Sequence, residues 1–402
     1  MREAQGERTM TDTRTAQGGS AAMRERLARL EGYLQRDPHN TALLSDAFDT
    51  ALAAGEFAAA QRFVDQAAAL FDAQPEQRPY WQFREATLCM TTGRDVEAQQ
   101  LLEALLEQGI DDPAVVSNLA QLAYRHGEDE RALALLQPLA ARHDLPDATA
   151  ALLLRTWHRL AKLDEAMQWV GGRFAAPVPA TQPGVTWVGV GSLIALDAGQ
   201  AAEAKTWSEQ ALAGDDRQME ALVVRATIAL GEDDGRLAHA LLERALTINP
   251  RDGRTWSTLA FVDMLDGRLD VAEAHFQRSL ETMPNHIGTW HGLGWCYLIQ
   301  RDLARAQAAF AASLEIDRNF GETHGGLAVI AALEGRRDEA QASIARALGL
   351  DATSLSARYA QALLAGEASD PQAIVRLSRR LLGARAGGQA LQVARRIEGA
   401  AG

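Results

Sequence analysis

Four histidines, His275, His286, His291 and His324, lie close together in the chain. Imidazole exchanges its proton near neutral pH and is the commonest metal ligand, so such a group could transfer protons or hold a metal. The spacing argues against both uses, because it puts the four rings on different helix faces. Gly189-Val190-Gly191 has the beginning of a dinucleotide loop but falls inside an expected helix, not at a strand-to-helix turn. Glu232-Asp233-Asp234-Gly235 lacks the alternating oxygen ligands of a calcium loop and reads as a solvated turn. There is no Gly-Lys-Ser/Thr phosphate loop, no Gly-x-Ser-x-Gly elbow and no His-Glu-x-x-His pair. No catalytic residue, metal or cofactor is expected, and the chain is read as a non-enzyme.

Cys89 and Cys296 are the only two cysteines. They are too few and too far apart for a zinc site and read as small buried apolar groups in a reducing compartment. A net charge of −13 and a pI near 5.2 set the chain against a phosphate backbone, so nucleic acid is not an expected partner. No apolar run is long enough to cross a membrane and no secretory core opens the chain, so a cytoplasmic location without membrane insertion is expected. The Ala-, Leu- and Arg-rich usage suggests a bacterial source.

The elements that carry these residues follow from a repeat. Trp256, Leu259, Ala272, Phe276, Ser279 and Leu280 recur 34 residues later as Trp290, Leu293, Ala306, Phe310, Ser313 and Leu314. This is the period of a two-helix hairpin. Extending the frame gives units beginning at Thr41, Pro79, Pro113, Asp147, Val185, Met219, Gly253, Ile287 and Gly321, with four-residue insertions before Pro79 and Val185. Where the two helices of a unit cross, only a small residue fits. That position holds Ala60, Ala98, Ala132, Ala166, Ala204, Ala238, Ala272, Ala306 and Ala340. The turn between the helices carries Gly55, Gly93, Gly127, Gly199, Gly267 and Gly335, as a left-handed cap prefers, with Asp233, Ala161 and Arg301 departing from it.

Trp256-x2-Leu259-Ala260 and Trp290-x2-Leu293-Gly294-x2-Tyr297, followed by Ala and Phe on the second helix and by Pro284, resemble the tetratricopeptide repeat family. The resemblance implies an all-α, right-handed solenoid of about nine to ten two-helix repeats. It also implies a binding face made by the first helices and a role as a protein-binding scaffold. The family's carboxylate clamp is matched here at Asn118 alone. Phe83, Thr87, Ala148 and Leu152 stand where it needs polar or basic groups, so a chaperone-tail adaptor is not implied.

The organisation expected is a disordered leader over 1–21, with Met1, Met10 or Met23 as the start, and a capping helix over 22–40. A first repeat block spans 41–170, a Pro/Gly break 171–184 and a second block 185–354. A degenerate repeat with capping helices closes 355–402, its last short helix around 389–397.

In the first block the expected binding face holds Arg84, Asn118, Gln121, Arg125, Arg155, His158 and Arg159, a strip suited to carboxylates. In the second block it holds Val190, Leu193, Leu230, Phe261, Met264, Trp295, Leu298 and Val329, interleaved with Gly189, Gly292, Gly325 and Gly326. A helical glycine costs about 1 kcal/mol relative to alanine, so several on one lining point to a close backbone approach. Trp157, Trp169, Trp207, Trp256 and Trp290 are assigned to the core, and Trp295 to the open side. The partner expected is another protein, docking a helix or extended peptide with acidic flanks. The alternatives are a regulatory or assembly subunit of an enzyme or of a secretion or surface-polysaccharide machine, and a self-associating structural protein.

Overall fold

The structure, a computed structural model, describes residues 21–142, 144–174, 185–232 and 234–366. Among them the regular structure is wholly helical, and the chain divides into two units, Met1–Leu160 and Ala161–Gly402. Unit 1 holds α1 (21–34), α2 (Thr41–Ala54), α3 (Phe57–Ala68), α4 (Arg78–Thr92), α5 (Asp95–Glu107), α6 (Pro113–Arg125), α7 (Asp129–Leu136) and α8 (Asp147–Arg159). Unit 2 opens with α9 (Leu163–Phe174), α10 (Thr186–Asp197), α11 (Ala201–Gly214), α12 (Met219–Gly231), α13 (Gly235–Ile248) and α14 (Gly253–Leu265). It continues through α15 (Leu269–Thr282), α16 (Ile287–Ile299), α17 (Leu303–Ile316), α18 (Gly321–Leu333), α19 (Arg337–Leu350) and α20 (Leu355–Ala365). The fold is an all-α solenoid of two-helix repeats. Most of the expected leader, residues 175–184 of the Pro/Gly break and residues 367–402 lie outside the described residues.

Each hairpin is punctuated by side chains the sequence supplies locally. First helices α12, α14, α16 and α20 are N-capped by Gln218, Asp252, His286 and Ser354, which accept from the backbone N–H of Ala221, Thr255, Thr289 and Ala357. Between repeats the chain turns at Asp215, Asn249, Asp317 and Asp351, all extended. Their side-chain oxygens accept from the N–H two residues on, at 2.9, 3.0, 2.8 and 2.8 Å. At Asp215, Asp317 and Asp351 these Asx turns end second helices that have no proline after them, whereas Asn249 is followed by Pro250. A second device shares the phase. Trp256 and Trp290 donate to the carbonyls of Pro250 and Pro284 at 2.9 and 2.7 Å, His324 pairs with that of Arg318 at 2.9 Å, and Arg358 donates to Ala352 at 3.1 Å. Each reaches six residues back, and the four positions lie 34 residues apart, so the frame holds in phase into α20. The two tryptophans are half-buried, because their indole nitrogens must meet the turn.

Between the helices of a hairpin, Gly55, Gly93, Gly127, Gly199, Gly267 and Gly335 all take positive φ. Ala161 and Arg301, which depart in sequence, take it too, at φ 54° and 63°. A left-handed residue with a Cβ carries strain of about 1–2 kcal/mol. Arg301→Gly is therefore expected to raise stability by about 1 kcal/mol, seen as a higher urea midpoint at unchanged slope.

All nine crossing alanines are 0% exposed, which lets the two helices of a hairpin nest. Phe276 and Phe310 fill the space between successive hairpins and are fully buried. At the start of unit 1, Leu27, Leu30 and Leu34 of α1 join Leu44, Phe48 and Phe63 in one apolar cluster.

Candidate functional site

The basic strip of unit 1 is built as a ladder. Arg125 and Arg159 end first helices α6 and α8, and each reaches back one repeat. Arg125 meets Asp95 at 3.1 Å and the Met90 carbonyl at 3.4 Å; Arg159 meets Asp129 at 3.0 Å and the Tyr124 carbonyl at 2.8 Å. The two rungs use identical frame positions. Each guanidinium thus neutralises the N-terminal carboxylate of one second helix and covers the last turn of the preceding first helix. Arg84 donates to Ser45 at 2.7 Å and Asp49 at 2.8 Å, with its guanidinium 4.1 Å above the Tyr80 ring. Arg155 and His158 lie half-buried on α8. Asn118 and Gln121 lie half-buried on α6, with amide groups suited to a peptide backbone.

In unit 2 the apolar lining separates into a floor and a rim. Val190, Met264, Trp295, Leu298 and Val329 are buried, whereas Leu193, Leu230 and Phe261 are half-exposed. Trp295, expected on the open side, is only 2% exposed: its indole donates to His291 Nε2 at 3.0 Å and its ring stands edge-on to Phe310. The glycines explain the closeness. A Cβ on Gly292 would lie 2.6 Å from the Phe261 ring, one on Gly294 or Gly326 would lie 2.6 or 2.7 Å from the Phe310 ring, and one on Gly325 would meet Ser356 at 2.5 Å. On Gly189 it would strike the side chain of Gln218. The close approach expected of an outside backbone is made by the chain's own side chains and by α20. Successive first helices therefore bury part of the wall against one another, and Arg254 of α14 reaches Asp197 of α10 at 3.1 Å. Accessible apolar surface also continues at positions the sequence reading passed over: Leu196, Leu265 and Ile299 are half-exposed and Leu333 is 41% exposed. The last three share one frame position, at the end of successive first helices, and that recurrence was the signal.

The histidines serve separate structural tasks. His286 caps α16, His291 stands in an aromatic box with Trp295, Phe310 and Phe320, and His324 meets a turn carbonyl. His275 of α15 joins a buried polar knot. Asp263 of α14, 2% exposed, accepts from Arg268 Nε at 3.0 Å and Nη2 at 2.6 Å, and pairs with His275 Nδ1 at 2.7 Å. Burial by itself would raise the Asp263 carboxyl, but the hydrogen bonds from His275 and Arg268 outweigh it and hold the group below its ordinary value. A carboxylate depressed in the folded state contributes stability that is complete above its unfolded value, about 3.9. That contribution is lost as pH falls through the folded value. Asp263→Ala should cost about 1–2 kcal/mol at pH 7, and its deficit against the parent should shrink below about pH 3.9, measured by urea unfolding at both pH values. Both cysteines are buried free thiols, and burial pushes Cys296 up to about 12.

Stacked two-helix repeats, with a polar ladder on the first helices of one unit and an apolar rim on those of the other, define the class of α-solenoid repeat proteins. Residues 252–319 match the family model described as Tetratricopeptide repeat, so this stretch carries repeats of that type. No curated protein matches it. Solved structures do. Human IFIT1 in a dimer with PPP-AAAA is 14% identical, with a TM-score of 0.50 over 92% of this chain and 94% of that one. A monomeric IFIT1 mutant with m7Gppp-AAAA gives 0.52 at 14% identity, over 92% and 95%. A tetratricopeptide repeat protein from Parabacteroides merdae, 14% identical, gives 0.36 over 72% of this chain and 99% of that one. At these identities the likeness is one of fold.

Proposed function

We propose that this chain is a non-enzymatic scaffold that binds another polypeptide, as a helix or extended segment, on the first-helix face of unit 2. The observation that carries the reading is that Leu193, Leu230 and Phe261 stay half-exposed above a buried apolar floor on three successive first helices. Apolar patches left open usually mark contact sites, and a helix laid in such a groove would cover them. A contact of unit 1 with acidic residues of the partner would have to exchange carboxylates with Asp49, Asp95 and Asp129, so the apolar face is given the greater weight. A cytoplasmic setting accords with two reduced cysteines.

Leu193→Arg with Leu230→Arg tests the reading, since both side chains are accessible enough to be replaced without opening the core. Capture of the partner by the tagged protein from its native cell should be abolished, with far-UV dichroism and melting temperature unchanged. Capture at the parental level by this folded variant would defeat the assignment.

A further inference from the structure

We propose that the apolar first-helix face of unit 2 is the docking site for the chain's own residues 389–397, held there in cis as a displaceable stand-in for the partner. The inference rests on the reading that this face receives a polypeptide, and it names an occupant the sequence itself supplies.

Three observations point to that occupant. The first is pattern: Ala390, Val393, Ala394 and Ile397 fall at i, i+3, i+4 and i+7, one apolar stripe, while Gln392, Arg395 and Arg396 fall opposite. A helix so patterned cannot bury its stripe alone, and Leu193, Leu230 and Phe261 present a stripe of matching character. The second is charge. Residues 371–397 carry six arginines and no acidic residue, whereas residues 185–366 carry 24 acidic and 16 basic residues. On the first helices Asp197 already pairs with Arg254 and Glu220 accepts from Gln218, so the attraction is that of the unit's net negative charge. A basic helix is drawn to such a unit and an acidic one repelled.

The third is reach. The segment is joined to α20, which packs directly against α18. Neighbouring helices pack about 8–10 Å apart, so α14, α12 and α10, three to five first helices away, lie roughly 25–50 Å back along the first-helix face. The 22 residues from 367 to 388 can extend to roughly 70 Å and include Gly383, Gly387 and Gly388, which let the chain turn back. A tether of that length holds its end at an effective concentration of about millimolar, enough for a weak helix to occupy the face until a stronger ligand displaces it.

The test uses the full chain and a fluorescent peptide of residues 386–402, read by anisotropy. Three proteins are compared: the parent, the tail variant Val393→Asp/Ile397→Asp, and the tail variant that also carries Leu193→Arg/Leu230→Arg. The tail variant should bind the peptide at least tenfold more tightly than the parent, because its own segment has left the face. The variant that carries all four changes should not bind it. Equal affinity in parent and tail variant, or binding that survives the two arginines, would overturn the proposal. The first comparison leaves every described residue unchanged, so it does not depend on how the face variants fold. Light scattering over a concentration series completes the test. A mass that doubles in the parent and not in the tail variant would put the segment on a second copy and overturn the cis arrangement. Failure here with partner capture still lost in Leu193→Arg/Leu230→Arg would sink the tail and leave the scaffold reading standing.

Discussion

Truncating Phe310 to alanine is expected to cost about 3–5 kcal/mol. The ring is fully buried and wedged between two first helices whose facing residues are glycines. A Cβ on Gly294 of α16 would lie 2.6 Å from it, and one on Gly326 of α18 would lie 2.7 Å away. His291 and Trp295 close the remaining sides, with ring centroids 5.4 and 6.3 Å away. On the sides that face Gly294 and Gly326 there is no side chain to swing into the cavity, which places the cost toward the upper end for a phenylalanine. Because repeats touch only their neighbours, the loss should be local. Amides of α16 to α20 should lose hydrogen-exchange protection well before those of α10 to α13. A loss under about 1 kcal/mol, or a uniform loss along the chain, would show that the Phe310 contact does not hold these hairpins together.

Gly325→Ala should also destabilise, by about 1–3 kcal/mol, although alanine is the better helix former by about 1 kcal/mol. The added methyl would meet Ser356 Cβ at 2.5 Å and the Ala357 backbone nitrogen at 2.7 Å, and a backbone cannot rotate out of the way. One turn earlier the Glu322 carboxylate accepts from the N–H of Leu355 at 2.9 Å and of Ser356 at 3.2 Å, and also takes the Ser356 hydroxyl. That contact gives the positive end of the α20 dipole its counter-charge. Pushing α20 outward breaks it, so residues 355–365 should exchange first. Gly349→Ala is the control: a Cβ there meets nothing within 4 Å, so that change should be neutral or stabilising. Equal behaviour of the two variants would refute the steric argument.

Much of this architecture could be read from spacing. The crossing alanines and the turn glycines fall where the 34-residue frame puts them, because each answers a local demand: two helix axes brought close, or a positive φ. The Asx turns at Asp215, Asn249, Asp317 and Asp351 obey the same period and were legible in principle, but proline drew attention away from them. The arginine strip was visible as charge and not as pairing. Arg125 and Arg159 find their carboxylates 30 residues upstream, and only the stacking of one hairpin on the next brings those atoms within 3.1 Å.

The division at the candidate site is sharper. Sequence alone determined that helical hairpins form, where they turn, and that the first helices of unit 2 carry an apolar lining. Which of those apolar side chains reach solvent was decided by tertiary structure. Phe261 sits against Gly292, and Phe310 against Gly294 and Gly326. Those contacts set how near successive first helices come, and so bury Trp295 and Val329 while leaving Leu193 and Leu230 at the rim. Residue spacing fixes direction around one helix axis, whereas exposure depends on the distance between axes, and that distance arises only when side chains from different repeats meet.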